Sequence, residues 1–143
     1  MNGDIPAFDR STESSPLPTL HQMNALVAFR PLLYAQGFQP ILPPGTLQEH
    51  TPAPYPNYHP TVLAFYRLAS EEVWCDHDYV PQTAHAMLED ADFVRRASLA
   101  QVRTMLTFCV RGERFFYGHW AAMIERGLIL RLLDRLEVIA AGG

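Results

Sequence analysis

Residues 111–139 read RGERFFYGHWAAMIERGLILRLLDRLEVI, and this stretch decides the fold because it joins a charged and aromatic segment to a long apolar pattern. Phe116, Trp120, Met123 and Ile124 recur at the three-to-four-residue spacing that aligns side chains on one face of an α-helix. The spacing therefore predicts a helix over residues 113–126 that buries these four side chains.

Gly127 follows this predicted helix at the position where a left-handed residue commonly ends a helix, a conformation in which glycine has the least strain. A second apolar pattern begins directly after it and predicts a closing amphipathic helix that ends near Ile139. Arg131 and Arg135 fall together on the outer side of that helix. Its inward positions are all leucine or isoleucine: Leu128, Ile129, Leu132, Leu133, Leu136 and Ile139.

Helix signals recur upstream of this stretch. Thr19 is a predicted N-cap of a first helix, and Pro31 must kink that helix or begin a new turn because proline lacks a backbone donor. Proline in a first helical turn indicates two further helices, over residues 60–72 and 81–89. The apolar spacing predicts a fourth helix over residues 99–111.

Some of these helices carry more specific expectations. Asp78 is the predicted cap of the third helix, and either Asp92 or Ser98 is the predicted cap of the fourth. Cys109 falls on the buried face of the fourth helix, where a reduced cysteine acts as a small apolar group. Phe108 falls on the opposite face, so a second layer or a partner must cover it.

Residues 37–60 form a proline-rich connection whose seven prolines leave little room for a helix or a central strand. We expect a strap across the surface of the domain, with room for one small edge hairpin. A partner or ligand surface and disorder are the alternatives. The strap side chains expected to pack on the core are Ile41, Leu42, Tyr55 and Tyr58.

The composition fits one globular domain, because 48% of the 143 residues are apolar and 18% are charged. Residues 1–18 are mostly small and polar and predict a disordered tail, whereas residues 19–141 predict a single helical domain. The predicted fold is mainly α: a compact bundle of five or six short helices with the proline-rich strap.

The sequence also bears on cellular location. It shows no leader-like segment and no run of about eighteen apolar residues, so export and membrane insertion are not expected. Its two cysteines lack a CxxC spacing, which favours reduced thiols. We therefore expect a cytoplasmic protein.

The formal net charge is −4, but the charges are unevenly distributed along the chain. Residues 71–92 hold seven acidic groups and no basic one, whereas residues 93–135 hold eight arginines and three acidic groups. The arginine-rich half suggests a nucleic-acid-associated regulator as an alternative function. Nucleic-acid binding is the less favoured interpretation, because the whole chain is acidic and the acidic run can neutralise the arginines.

Arg114, His119 and Glu125 are ionisable residues that could carry chemistry. On one straight helix His119 and Glu125 would point about 120° apart, so they could not share a proton. The favoured interpretation is structural: Gly118 allows close helix approach, while Arg114 and His119 satisfy buried polar groups. No catalytic residue is assigned, and a small enzyme that uses Arg114 and His119 is the third hypothesis.

Cys75, His77 and His85 are weak candidates for metal ligands, with Asp76 and Asp78 beside them. Zinc normally takes four ligands, and Cys-x-His is not a usual spacing for a structural site. We therefore expect no metal and no cofactor, and we interpret the segment as a polar connector.

The carboxy-terminal stretch resembles a bacterial and archaeal family of small proteins of unknown function. The motif of that family is a basic residue, two positions, Arg-Phe, two positions and Gly-His, then Glu-x-Gly before a closing helix. HPTVLAF at residues 59–65 also resembles the family, whereas WCDHDYV at residues 74–80 departs from it. The resemblance covers residues 58–136, supports the helical fold and implies no activity. The residues that match the motif are Arg111, Arg114, Phe115, Gly118, His119, Glu125 and Gly127.

Together these observations favour a protein-interaction or accessory module. Phe108, Leu130 and Val138 fall off the inward faces of the helices, and self-association often covers such groups. We therefore expect a homodimer or a different protein partner. The residues expected to form the partner or ligand surface are Phe108, Arg111, Arg131 and Arg135.

Overall fold

The computed structural model describes residues 16–43 and 56–142, which are mainly helical. The α-helices are α1 (Leu20–Val27), α2 (Arg30–Leu33), α3 (Pro60–Ala69), α4 (Pro81–Glu89), α5 (Ala91–Arg95), α6 (Leu99–Arg111), α7 (His119–Glu125) and α8 (Leu128–Ala140). Short 3₁₀ helices follow α3 at Glu72–Trp74 and α6 at Gly112–Arg114. Of the eight α-helices in this part of the chain, α2 and α5 have four and five residues, so six longer ones remain. The predicted helical bundle is confirmed.

Helix α8 is the centre of the bundle, and α1, α5, α6 and α7 all pack against it. Five of its apolar side chains are at most 1% exposed, and each contributes about 1.5–3 kcal/mol by leaving water. These side chains are Leu128, Ile129, Leu132, Leu133 and Leu136. The predicted closing helix is therefore confirmed, and no helix among the described residues is long and apolar enough to cross a bilayer.

Helix α6 has the predicted bounds and supplies a second part of the core. Cys109 is fully buried on its inner face, as predicted, and this burial raises the pKa of the thiol above its ordinary value. Phe108, on the other face, is half-buried because side chains from α4 and α7 cover it. A second layer of the same chain thus covers part of this residue.

The helix caps follow the sequence signals in part. Thr19 and Ser98 each form a capping box with the glutamine three residues later. The side chain of the cap residue accepts from the backbone N–H of the glutamine, and the glutamine side chain accepts from the backbone N–H of the cap residue. Asp92 does not cap α6, because Ser98 does. The predicted cap at Asp78 is wrong: α4 begins after Val80 without a side-chain cap, and its first residue is a proline that needs none.

The described ends of the proline-rich strap are joined by one antiparallel bridge between Ile41 and Tyr58. Leu42 N donates to Asn57 O at 2.8 Å and His59 N donates to Pro40 O at 2.8 Å. The bridge is isolated, and the described residues contain no strand, so the small edge hairpin stays a prediction. Tyr58 is buried as predicted, whereas Ile41 is 41% exposed and does not pack in the core.

Two predictions fall wholly or mainly on residues outside the described ranges. The predicted tail lies there except for residues 16–18, and Tyr55 of the strap lies there as well. Within the described part, Arg103 Nη1 donates to the Pro16 carbonyl at 3.1 Å and Pro18 is buried. Residues 16–18 therefore contact the helical domain.

The predicted helix over residues 113–126 is wrong in its first half. The chain forms the 3₁₀ helix Gly112–Arg114 and a turn, and α7 begins only at His119. Gly118 has a φ of +94°, which a right-handed helix cannot contain. Phe116 is consequently 72% exposed, although its spacing predicts an inward position.

The junction between α7 and α8 depends on Gly127 and on a tyrosine from another part of the chain. Gly127 has a φ of +77°, which confirms the predicted left-handed cap. Tyr34 donates from its hydroxyl to Ile124 O at 2.9 Å, and Leu130 N donates to the same hydroxyl at 3.1 Å. The hydroxyl thus satisfies the Leu130 donor in the first turn of α8, which has no intrahelical partner, and adds a second hydrogen bond to Ile124 O, which also accepts from Gly127 N at 3.0 Å.

Replacing Tyr34 by Phe should lower the free energy of unfolding by about 1–2 kcal/mol, because two backbone groups lose one partner. Urea unfolding followed by circular dichroism measures this loss. Tyr79→Phe removes the same atom from another half-buried ring and should change stability by less than about 0.5 kcal/mol. Equal losses in the two variants would contradict the bridging role of Tyr34.

Candidate functional site

Glu113 organises the segment between α6 and α7. Its carboxylate accepts hydrogen bonds from Gly118 N at 3.1 Å, from Trp120 N at 2.9 Å and from the Tyr58 hydroxyl at 2.8 Å. Gly118, at the start of α7, has no side chain that could cap the helix, so Glu113 satisfies the free donors. The same carboxylate connects the strap to α7.

Trp120 fixes the first turn of α7 against α3 and α6. Its indole Nε1 donates to Val110 O at 2.9 Å, and its ring stacks on Tyr66 with centroids 4.5 Å apart. Tyr58 lies on the same ring at 5.5 Å, and burial together with its bond to Glu113 raises the pKa of the Tyr58 hydroxyl. These aromatic contacts hold α7 in a fixed orientation.

Between the fixed points at Glu113 and Gly118, three consecutive aromatic side chains extend into solvent. Phe115 is 70%, Phe116 is 72% and Tyr117 is 53% exposed. We call residues 115–117 the aromatic loop. Large aromatic side chains are rarely this exposed in a row unless another surface covers them.

The aromatic loop forms one edge of a concave surface, which we call the apolar hollow. Its volume is about 350 Å³, and its lining includes Tyr79, Pro81, Phe108, Phe115, Phe116 and Met123. His85 stacks on the Phe108 ring at 4.9 Å, and His119 meets the same ring edge-on at 5.4 Å. The two histidines thus form part of the wall.

His119 is packed against Gly112 in this wall. A Cβ atom at residue 112 would overlap the His119 imidazole, so only glycine fits there with the ring in place. The close approach predicted at Gly118 therefore occurs at Gly112, whereas a Cβ at Gly118 would meet open space. The Nε2 atom of His119 is buried and has no hydrogen-bond partner among the described residues.

Burial lowers the pKa of His119 below its ordinary value, and the nearby His85 acts in the same direction. Glu113 and the Phe108 carbonyl act in the opposite direction because they favour the protonated ring, but burial is the largest effect. The ring is thus more readily kept neutral in the folded chain than in the unfolded chain.

Arg114 and His119, the two candidates for catalysis, lie in different places. His119 lines the apolar hollow, whereas Arg114 lines a second concave surface of about 330 Å³. We call this second surface the thiol hollow. Its polar lining includes Ser70, Cys75, Thr107, Arg111, Glu113 and Arg114.

Most arginines of the basic half are bonded within the domain. Arg131 Nη1 donates to Leu88 O at 2.9 Å, and Arg135 Nε donates to Ala97 O at 2.8 Å. These carbonyls lie at or just beyond the ends of α4 and α5, where helices leave acceptors free. Both arginines are half-buried and fasten α4 and α5 to α8, and their place in a partner surface stays a prediction.

Ion pairs connect the acidic run to the basic half. Arg126 Nη2 lies 2.8 Å from each carboxylate oxygen of Glu89 and lowers the pKa of that carboxyl. Arg30 in turn pairs with Asp134 at 2.6 Å and Glu137 at 2.7 Å on α8. Part of the uneven charge is therefore neutralised inside the folded chain.

The three weak metal candidates do not converge. Cys75 Sγ lies 3.7 Å from His77 Nδ1, whereas His85 pairs with Glu89 at 2.9 Å beside the apolar hollow. Within the described ranges, no three His, Cys, Asp or Glu side chains are grouped so that they could hold a metal ion. Arg111 donates to Cys75 Sγ at 3.1 Å and lies over the Tyr79 ring.

Comparison with known proteins adds one finding to this geometry. A model of a family of unknown function, DUF6508, matches residues 18–142. The chain belongs to this family. The matched range contains every described helix and includes residues 58–136, which carry the resemblance noted in the sequence. The carboxy-terminal motif and a bacterial or archaeal origin stay predictions. No curated protein and no solved structure matches the chain.

Gly112→Ala should destabilise this DUF6508 protein by about 1–3 kcal/mol, because the new methyl group displaces the His119 ring. In a His119→Ala background the same change should be neutral or stabilising by up to about 1 kcal/mol, because the φ of −62° at Gly112 suits alanine. Chemical unfolding of the two single variants and the double variant measures the coupling. Additive losses would show that the two residues do not interlock.

Stability should fall as the pH is lowered through about 6.5, the ordinary pKa of histidine. The sign follows because the folded-state pKa of His119 is lowered, so the unfolded chain takes up the proton first and the stabilisation is complete only above that pH. Thermal unfolding between about pH 8 and pH 5 should show this loss, and His119→Gln should make it smaller. An identical pH dependence in the variant would contradict the assignment to His119.

Proposed function

We propose that this protein is a protein-interaction module that forms a homodimer through the aromatic loop and the apolar hollow. The observation that carries the proposal is the exposure of three consecutive aromatic side chains, Phe115, Phe116 and Tyr117, on a fixed loop. Aromatic residues are enriched where protein interfaces concentrate their binding energy. Full burial of each phenylalanine supplies about 1.5–3 kcal/mol.

The surface has the mixed character of an interface. Apolar side chains line the hollow, and the ion pairs of Glu89 with Arg126 and His85 lie at its border. An apolar centre with a polar rim is the usual arrangement of a protein interface. The rim pairs remain hydrated when a partner covers the centre.

A second copy of the chain fits this surface because the surface contains both a projection and a recess. In a twofold dimer the same patch faces itself, so the aromatic loop of each copy meets the hollow of the other. This proposal differs from the surface predicted from the sequence, since Arg131 and Arg135 are engaged with α4 and α5. Phe108 remains part of it as a wall of the hollow.

The other hypotheses have less support. Several arginines that suggest a nucleic-acid-associated regulator are bonded to carbonyls or carboxylates of the same chain. Arg114 and His119, which the small-enzyme hypothesis uses together, line different hollows. A cytoplasmic location remains part of the proposal, because both cysteines are free thiols.

Phe115→Ser and Phe116→Ser should each weaken dimerisation about 10- to 100-fold, because each removes a side chain that the partner buries. Sedimentation velocity over a micromolar concentration series measures the dissociation constant. Both residues are exposed in the single chain, so the melting temperature extrapolated to low protein concentration should hardly change.

Leu63→Ser is the matched control, because Leu63 is 42% exposed on α3 and does not line the apolar hollow. It should leave the dissociation constant unchanged. A wild-type chain that stays monomeric throughout the series, or an equal effect of Leu63→Ser, would overturn the dimer. Salt-sensitive retention of the wild type on heparin would instead favour the nucleic-acid hypothesis.

A further inference from the structure

A thiol, an imidazole and a carboxylate lie in series beside the 3₁₀ helix Glu72–Trp74. His77 Nδ1 lies 3.7 Å from Cys75 Sγ, and His77 Nε2 lies 2.7 Å from Glu72 Oε2. A nucleophile, a base within reach of it and a carboxylate that orients the base form the usual arrangement for nucleophilic catalysis. The order of groups here is the same.

The segment that carries these groups is anchored to α6. Asp76 N donates to Thr107 Oγ1 at 2.9 Å, and Thr104 Oγ1 donates to Asp76 Oδ2 at 2.6 Å. Thr107 is buried, so the anchor is shielded from water. Cys75 therefore has a defined position between the 3₁₀ helix and α6.

Cys75 lines the thiol hollow, and the charged side chains of that lining favour the binding of an anionic ligand. Arg111 donates to Cys75 Sγ at 3.1 Å, and Arg114 lines the same hollow with an exposed side chain. Glu113 also lines the hollow, but both of its carboxylate oxygens already accept hydrogen bonds from the protein. Two guanidinium groups against one carboxylate leave the lining with a net positive charge.

We infer that Cys75 is a nucleophile with His77 as its base, and that the thiol hollow takes a small electrophile bearing a carboxylate. The guanidinium groups bind the carboxylate, because planar donors match its two oxygens. Cys75 Sγ forms a bond to the electrophilic carbon while the leaving group departs with its electron pair. The thiol proton moves to His77 Nδ1 and then to water, since the His77 side chain is 54% exposed.

Cys109 provides an internal reference for this chemistry. It is fully buried in α6 and lines neither hollow, whereas Cys75 is half-buried at the edge of the thiol hollow. Reaction at one cysteine can therefore be compared with reaction at the other in the same molecule. The reactive position follows from mass spectrometry of the peptides.

The test compares iodoacetate with neutral iodoacetamide on the full chain, with glutathione as the free thiol. Alkylation should occur at Cys75 and not at Cys109, and the ratio of the iodoacetate rate to the iodoacetamide rate should exceed that of glutathione by about tenfold. Arg114→Gln should lower this ratio and leave the iodoacetamide rate nearly unchanged. Arg96→Gln, an exposed arginine outside the hollow, is the matched control and should change neither.

His77→Asn should slow both reagents by about tenfold or more, because the thiol loses its base. His21→Asn on the exposed face of α1 controls for loss of a histidine elsewhere. An unchanged rate in His77→Asn, a reagent ratio equal to that of glutathione, or alkylation of Cys109 at a similar rate would each overturn the inference. His77 and Arg114 are both exposed, so these variants should fold.

Glu72 is a positioning residue in this arrangement. Glu72→Gln should slow the alkylation of Cys75 by both reagents, because the imidazole loses the carboxylate that orients its ring while Arg111 and Asp76 stay in place, and Glu72→Asp should restore part of the rate. The melting temperature of Glu72→Gln should be unchanged, since the Glu72 side chain is 81% exposed. A lower melting temperature with an unchanged alkylation rate would assign Glu72 a structural role only.

Discussion

The positive φ of Gly118 is the constraint on which the carboxy-terminal half depends. A right-handed helix cannot pass through it, so the chain must leave the line of α6 and begin α7 anew. Glu113 makes this break stable, because its carboxylate accepts the backbone donors that the new helix start leaves free. With both ends of the turn fixed, the three aromatic residues between them have no inward position to occupy.

The contacts that surround this turn come from elements far apart in the sequence. Tyr58 from the strap and Tyr66 from α3 meet Trp120, while Phe108 from α6 meets both His85 from α4 and His119. Each contact either completes a hydrogen bond or excludes water from a ring. The turn is therefore part of the packed domain, although its tip is exposed.

Local signals were sufficient to predict much of the fold. The bounds of α4 and α6, the N-cap at Thr19, the N-cap at Ser98 as one of two candidates, and the left-handed Gly127 all depend on residues within one helical turn of each other. The helix expected over residues 113–126 failed because a periodic apolar pattern carries no information about φ at a glycine inside it. A glycine within a helical pattern was the available warning, since it lowers helix stability and often marks a turn.

The candidate sites were less accessible from the sequence. Arg114 and His119 lie only five positions apart in the sequence, yet they line different hollows. Their separation depends on where the 3₁₀ turn directs each side chain, which the sequence pattern does not specify. The contacts from Glu72 through His77 to Cys75 depend on the backbone geometry of a connector. The sequence pattern predicted no regular structure there, so these contacts could not be predicted. Glu113 was missed because its partners lie on the strap and on α7.

The contact between Gly112 and the ring of His119 has an evolutionary consequence. The two positions share one volume, so natural variation at one of them is conditional on the other: a side chain at position 112 requires a smaller residue than histidine at position 119. Members of the family that keep the histidine should keep the glycine, and substitutions at the pair should appear together. Such covariation would trace the wall of the hollow through the family independently of any activity.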